Sequence, residues 1–210
     1  MVRLKISMAS RSKRGHPQQK SSQRPAGQIR IIAGRWRGRK LPVANSEGLR
    51  PTTDRVKETL FNWLAPHIVD SRCLDLFAGS GSLGFEALSR GADETVFLEK
   101  EAKIANILQQ NLQQLSADNG KVEQTDSLQY LKNPGQPFGI VFIDPPFRKD
   151  LLSECCELLE QNHWLAEGAL IYIEREQELC APRLPQSWEL LKDKTAGQVS
   201  YQLYQRRVNS

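Results

Sequence analysis

Cysteine, histidine and long apolar runs are all scarce in this sequence of 210 residues. It has four cysteines and three histidines, and none has the spacing of a zinc site or of a Cys-x-x-Cys pair. Cys155 and Cys156 are adjacent, which is unusual in a disulfide framework. We therefore expect reduced thiols, no metal and a cytoplasmic location.

No apolar run approaches the roughly 20 residues that a membrane-spanning helix needs, and the N-terminus lacks the apolar core of a secretory signal. We expect neither a membrane span nor secretion. The length suits one domain with an appendage, and a hydrophobic content of 39% is too high for a wholly disordered chain. A small domain of this kind is expected to be a monomer.

Acidic residues are absent from the first 46 positions. Residues 1–57 contain 15 Lys and Arg against two acids, whereas the remaining residues contain 14 basic and 22 acidic side chains. Such a basic segment ahead of an acidic body predicts a polyanionic partner, most simply nucleic acid. By composition we divide the chain into a disordered basic arm (1–27), a basic β-hairpin extension (28–50) and a main domain (51–210).

The hairpin extension contains three arginines at alternating positions. In an extended strand these would share one face and Trp36 would take the other. The alternative is a solvated edge strand whose charges prevent aggregation. The charge excess favours phosphate binding, for which we predict Arg35, Arg37, Arg39, Lys40 and Arg50.

From residue 54 onwards, short apolar runs alternate with helical periodicity, which predicts an α/β fold with a mostly parallel sheet. The expected strands lie near 73–77, 95–98, 122, 140–143 and 169–173, with a closing hairpin at 188–191 and 199–204. The expected helices begin near 54 and span 83–90, 104–115 and 151–159. Ligands in such sheets bind beyond the carboxyl ends of the strands.

A Gly-x-Gly-x-x-Gly motif in residues 75–84 follows the first of these strands. Gly79 permits a tight turn and Gly81 lets a ligand approach the backbone. Glu99, at the end of the next strand, could accept hydrogen bonds from a ribose diol. The motif alone does not separate a dinucleotide from another adenosine cofactor.

Two further acids lie at strand ends. Asp75 suits a cofactor with a cationic amino group better than a pyrophosphate, whose charge is negative. Asp126 could accept from an adenine amine, and it could equally be an ordinary turn residue.

Residues 144–147, Asp-Pro-Pro-Phe, follow an apolar strand. They offer a carboxylate from Asp144, a carbonyl from Pro145 and the flat ring of Phe147. Together these groups could hold a planar base by its exocyclic amine. The alternative is a strand stop followed by a core phenylalanine.

The motifs at 31–41, 50–58, 75–92 and 144–147 together resemble the bacterial 16S rRNA guanine-N2 methyltransferases of the RsmD type. The resemblance covers roughly residues 28–206. It implies a Rossmann-like class I methyltransferase fold, with a seven-stranded, mostly parallel sheet, helices on both faces and a C-terminal antiparallel hairpin. It also implies methyl transfer from S-adenosyl-L-methionine to a guanine usually numbered 966 in 16S rRNA or in a small-subunit assembly intermediate.

The resemblance further implies the site residues. Asp75, Gly79 and Gly81 would line the methionine end of the cofactor, Glu99 would hold the ribose and Asp126 the adenine. The full expected cofactor set is Thr53, Asp75, Phe77, Ala78, Gly79, Gly81, Glu99, Lys100, Asp126 and Ser127, and the expected catalytic set is Asp144, Pro145 and Phe147.

Three other functions fit parts of the sequence. A nicotinamide-dependent oxidoreductase would explain the glycine motif only. An adenine-N6 or cytosine-N4 methyltransferase would share the Pro-Pro-aromatic motif, so the residues themselves do not name the base. A non-catalytic RNA-binding protein of ribosome assembly would explain the basic segment but not an intact pocket.

Overall fold

A computed structural model describes residues 27–44, 53–146, 151–178 and 182–207. Its strands are β1 (Gln28–Arg30), β2 (Lys40–Pro42), β3 (Arg72–Asp75), β4 (Glu94–Glu99), β5 (Gly120–Gln124), β6 (Phe138–Ile143), β7 (Leu165–Glu176), β8 (Trp188–Ala196) and β9 (Val199–Arg206). Its helices are α1 (Asp54–Leu64), α2 (Ser82–Ser89), α3 (Ala102–Leu115), α4 (Ser127–Leu131) and α5 (Leu152–Gln161). Arg50, Phe147, Cys180 and residues 1–26 of the predicted arm lie outside the described residues.

Seven of the described strands form one sheet in the order β5-β4-β3-β6-β7-β9-β8. The first five of these are parallel, and β9 and β8 complete the sheet as an antiparallel hairpin. This confirms the predicted fold. The chain runs from β3 outward through β4 to β5 and then crosses to β6 on the other side of β3. The strand order therefore reverses between β3 and β6, which is where α/β sheets bind their ligands.

The two faces of the sheet are covered by different helices. Leu74, Val141 and Ile171 pack into one core with α4 and α5. On the opposite face, Phe142 and Tyr172 belong to a core that includes α1. Because successive side chains of a strand point to opposite faces of the sheet, the position of a residue near a strand end shows which face its side chain occupies.

Helix α2 is buried on all sides, although the sequence pattern predicts burial of one face only. The β1–β2 segment accounts for the difference, because Ile31, Trp36 and Leu41 pack with Phe85 and Leu88 of α2. The described part of the predicted hairpin extension is thus attached to the main domain by apolar contacts.

The predicted strand alternation of Arg35, Arg37 and Arg39 is wrong. Residues 33–38 form bends and turns between β1 and β2, and Gly34 and Gly38 have positive φ angles of 81° and 82° that glycine adopts without strain. A Cβ at Gly34 would overlap the backbone of α2. The turn buries Trp36 to 6% exposure and leaves the three arginines and Lys40 exposed.

Helix α4 is absent from the sequence-based prediction, because five residues are too few for helical periodicity to show. Asp126 is its N-cap and accepts from the backbone N–H groups of Leu128 and Gln129. The preference of aspartate for this position was the available signal.

In the four described ranges, no helix has the length and apolar character needed to cross a membrane. The same ranges contain no group of three or more His, Cys, Asp or Glu side chains placed to hold a metal ion. The three described cysteines, Cys73, Cys155 and Cys156, are buried and form no disulfide.

Candidate functional site

The glycine motif forms the turn from β3 into α2. Gly79 and Gly81 have φ angles of 48° and 74°, and a Cβ at Gly81 would lie 2.5 Å from the ring of Phe85. The turn is fixed to its neighbour strand because the N–H of Ala78 donates to the carbonyl of Leu98 at 3.0 Å. The missing Cβ at Gly81 therefore makes room for Phe85 of α2, and the approach of a ligand to this backbone stays a prediction.

Gly84 in the first turn of α2 lets the helix approach β4. A Cβ at this position would overlap the ring of Phe97. The N–H of Gly84 also donates to the Asp75 carboxylate at 3.1 Å. The third glycine of the motif therefore holds together the helix, the strand and the buried acid.

We expect Gly84→Ala to destabilise the protein by about 1–3 kcal/mol, because overpacking forces the helix or the ring of Phe97 to move. The matched control is Gly139→Ala on β6, where a Cβ meets only the carbonyl of Arg72 at 3.9 Å. Thermal denaturation of the two variants measures the difference. Equal stability would show that the close approach of α2 to β4 has no energetic role.

Asp75 is buried to 2% exposure at the end of β3. Burial raises the pKa of its carboxyl from 3.8 to about 7, and the hydrogen bond from Gly84 opposes the rise. A buried carboxyl group at a strand end, with a pKa raised to near neutral pH, is typical of a functional site.

Glu99 reaches the glycine turn from the end of β4. Its Oε2 accepts from the N–H of Gly79 at 3.0 Å, and its Oε1 accepts from the N–H of Glu101 at 2.7 Å. The side chain is 9% exposed. The structure thus brings the acid and the turn together.

Lys100, Asp126 and Ser127 lie at the outer side of the same turn. Lys100 Nζ donates to Asp126 Oδ2 at 3.0 Å, and this bond is the largest cause of a lowered Asp126 pKa. The hydroxyl of buried Ser127 donates to the carbonyl of Leu76. In the structure these three side chains stabilise α4 and the turn, a local role that the sequence left open for Asp126.

The residues at the end of β6 lie beside this turn. Phe142 pairs with Asp75 across the two central strands, and the N–H of Leu76 donates to the carbonyl of Phe142 at 3.1 Å. Asp144 follows two residues later and is half-buried, and Pro145 is buried. The Asp-Pro corner and the glycine turn are therefore adjacent at the switch point of the sheet.

Thr53 begins α1 and accepts from the N–H of Val56 through its hydroxyl. Four residues along, Lys57 is only 1% exposed. Its ammonium donates to the carbonyl of Arg30 at 2.6 Å and to the hydroxyl of Ser82 at 3.1 Å. Helix α1 is thus linked to both the hairpin and the start of α2.

Glu86 on α2, fully buried, joins the hairpin to the main domain. Its carboxylate accepts from the N–H groups of Ile32 at 2.8 Å and Ala33 at 3.0 Å. It also pairs with Arg90 at 2.8 Å and with Lys57 at 3.8 Å. Glu86 is not among the predicted site residues, because its only signal in the sequence is an acid within an otherwise apolar helix.

A family model described as conserved hypothetical protein 95 matches residues 29–205. The ribosomal RNA small subunit methyltransferase D of Escherichia coli is 56% identical over 87% of this chain and 92% of its own length. The protein of the same name from Haemophilus influenzae is 58% identical over 85% of this chain and 94% of its own length.

The chain belongs to this family of methyltransferases. The solved structure of the Escherichia coli protein yhhF supports the assignment at the level of the fold, with 55% identity and a TM-score of 0.82. It covers 86% of this chain and 99% of that one. Family membership excludes the oxidoreductase that the glycine motif alone would allow.

Proposed function

We propose that this protein transfers a methyl group from S-adenosylmethionine to the N2 amine of a guanine in 16S rRNA, in the cytoplasm and on free RNA or a small-subunit assembly intermediate. The observation that carries the proposal is the adjacency of the glycine turn after β3 and the Asp-Pro corner after β6. The names of the relatives support rRNA as the substrate.

The residues of the glycine turn fit this cofactor. Asp75 offers a carboxylate to the cationic amino group, and half-buried Gly79 has no side chain to obstruct a ligand. Glu99, which already reaches Gly79, can exchange a backbone hydrogen bond for the ribose hydroxyls. When bound, the cofactor supplies an electrophilic methyl group on a positively charged sulfur.

The Asp144 carboxylate and the Pro145 carbonyl accept the two hydrogens of the guanine amine in this mechanism. The amine is a weak nucleophile because its lone pair is delocalised into the ring, so orientation contributes most to the rate. Positive charge develops on the nitrogen during transfer, and Asp144 stabilises it. Since this nitrogen becomes acidic only after it gains the methyl group, its proton can leave afterwards.

The RNA contacts come from the exposed side chains of the hairpin turn, Arg35, Arg37, Arg39 and Lys40. Guanidinium and ammonium groups bind phosphates irrespective of sequence, so this surface positions the RNA without selecting the base. The target base is unpaired or flipped, because a stacked base cannot reach the corner at Asp144.

Nucleoside mass spectrometry tests the proposal. Incubation of 16S rRNA lacking the modification, or of small subunits made from it, with the enzyme and methyl-labelled cofactor should yield labelled N2-methylguanosine. Labelled N6-methyladenosine or N4-methylcytidine would assign a different base. The absence of labelled nucleoside with both substrates would contradict the assigned activity.

Asp75 makes cofactor binding dependent on pH. Above its pKa of about 7 the carboxylate is charged and attracts the cofactor's ammonium group, and below it the attraction is lost. We expect calorimetric affinity for S-adenosylhomocysteine to rise between pH 6 and pH 8, roughly tenfold at most per pH unit. The variant Asp75→Asn should bind more weakly and with no such dependence, and an unchanged slope in it would assign the titration to another group.

The same pKa predicts that the stability of the protein without cofactor decreases as the pH rises. Because the folded pKa of about 7 exceeds the ordinary value of 3.8, neutral Asp75 contributes fully to the free energy of unfolding below about pH 4. This contribution is lost as the pH rises through 7. Thermal denaturation between pH 5 and pH 8 should show a smaller decrease for Asp75→Asn than for the original protein.

A further inference from the structure

A second buried acid lies beside the Asp-Pro corner, on β7. Strands β6 and β7 are parallel neighbours in which Phe142 pairs with Tyr172 and Ile143 with Ile173. Glu174 is the next residue of β7 and therefore lies laterally next to Asp144, since neighbouring strands are about 4.8 Å apart. Glu174 is only 7% exposed, so it is a second acid that the fold keeps largely out of solvent.

The Glu174 side chain lies on the face that also carries the proposed site. Tyr172 contacts Phe142 edge-on at 6.5 Å between ring centroids, and Phe142 pairs with Asp75. Residues two positions apart along a strand share a face, so Glu174 follows Tyr172 and Asp144 follows Phe142. Burial is the largest cause of the raised pKa of Tyr172, and the negative charges of Glu174 and Asp144 add to it, which agrees with this placement.

Tyr172 holds the Glu174 carboxylate in a defined orientation. Its hydroxyl donates to Glu174 Oε2 at 2.9 Å, and the fully buried ring has no freedom to rotate away. A carboxylate offers about four lone-pair positions. The bond from Tyr172 therefore orients Glu174, and such a carboxylate can accept from more than one donor at a time.

The bases that carry an exocyclic amine differ in the atom beside it. Guanine has a donor, N1–H, next to its N2 amine. Adenine and cytosine have an acceptor, N1 or N3, next to theirs. If Asp144 holds the amine, a second carboxylate beside it can accept from the neighbouring N1–H of guanine. The same carboxylate would repel the acceptor nitrogen that adenine and cytosine have at that place.

We propose that Glu174, oriented by Tyr172, accepts the N1–H of the target guanine and selects guanine over adenine and cytosine. The assignment rests on the proposed methyl transfer at Asp144, and it supplies the base selectivity that the Asp-Pro-Pro-Phe sequence does not provide. Sites built to hydrogen-bond a substrate group reject analogues that lack it by up to about 10⁴–10⁵-fold.

Replacing guanine by a base that lacks both O6 and the N1 hydrogen tests the proposal, and comparing variants on that base separates the two changes. The substrate is an RNA, assembled into the particle if the enzyme requires it, in which the target guanine is replaced by 2-aminopurine. This base keeps the 2-amine and carries an acceptor at N1. We expect the original enzyme to methylate guanine with a kcat/KM at least about 100-fold higher than 2-aminopurine.

Glu174→Gln should reverse part of this preference. With Tyr172 donating to the amide oxygen, the amide NH2 faces the base and donates to the N1 acceptor of 2-aminopurine. We expect kcat/KM for guanine to fall about 100-fold, while kcat/KM for 2-aminopurine is maintained or increased. The matched control is Glu167→Gln, the same change at an exposed position of β7, which should leave both values unchanged.

Three outcomes decide the matter. A fall in the guanine to 2-aminopurine ratio for Glu174→Gln, with unchanged affinity for S-adenosylhomocysteine, supports the proposal. An equal loss on both bases shows a structural role only and overturns it. A product other than N2-methylguanosine from the original enzyme instead overturns the proposed function, so the two failures are distinguishable.

Discussion

Asp144→Ala lowers kcat for methyl transfer by about 10³-fold or more, and it leaves the dissociation constant for S-adenosylhomocysteine within roughly threefold. The substitution removes the carboxylate that orients the amine and stabilises its developing charge, two effects that each contribute factors of about 10² or more. The cofactor contacts at Asp75, Gly79 and Glu99 remain, which is why binding persists. Single-turnover transfer of labelled methyl and calorimetry measure the two quantities.

Two further variants sharpen this test. Asp144→Asn keeps one acceptor oxygen without the charge and should lose less activity than the alanine variant. Asp118→Ala, at an exposed position after α3, controls for the loss of an acid elsewhere. Full activity of Asp144→Ala would refute the role assigned to the corner. A parallel loss of cofactor binding would show that Asp144 contacts the cofactor and not the base.

Glu86→Ala destabilises the protein by about 3–5 kcal/mol, the cost of breaking a buried ion pair by removing one partner. For a domain of this size, the melting temperature should fall by roughly 6–20 °C. The reason is that buried Lys57 loses its acidic partner while the N–H groups of Ile32 and Ala33 lose their acceptor. Burial already lowers the pKa of Lys57, and Glu86 opposes that shift.

The control for this stability prediction is Glu58→Ala on the exposed side of α1, which should shift the melting temperature by no more than about 2 °C. Hydrogen exchange should show that Glu86→Ala deprotects residues 29–41 first, since these are the segment that Glu86 holds. Equal melting temperatures for the two variants would contradict the role given to the buried acid.

The parts of the site that could be predicted are those formed by contiguous residues. The strand that stops at Asp144 and the glycine turn each depend on local backbone chemistry that one segment encodes. Their meeting at one edge follows from the parallel order of β3 and β6. The fold is predictable for the same reason, because its strands and most of its helices carry clear periodicity.

The parts that could not be predicted depend on residues distant in sequence. Glu86 is buried under the hairpin, about 53 residues earlier in the chain, and beside Lys57 of α1. Trp36 turns inward because its segment bends against α2 and does not extend, which no local pattern of alternating arginines reveals. Glu174 looks like an ordinary acid near a strand end until β7 is placed beside β6.

A crystal structure with S-adenosylhomocysteine tests the central claim most directly, that the turn after β3 and the corner after β6 form one methyl-transfer site. The ligand should lie over Gly79 and Gly81 with its amino group at Asp75. Its sulfur should face Asp144 across a gap that one methyl group and an amine about 3–3.5 Å from it can fill. A ligand at another edge of the sheet, or a sulfur directed away from Asp144, would contradict the account.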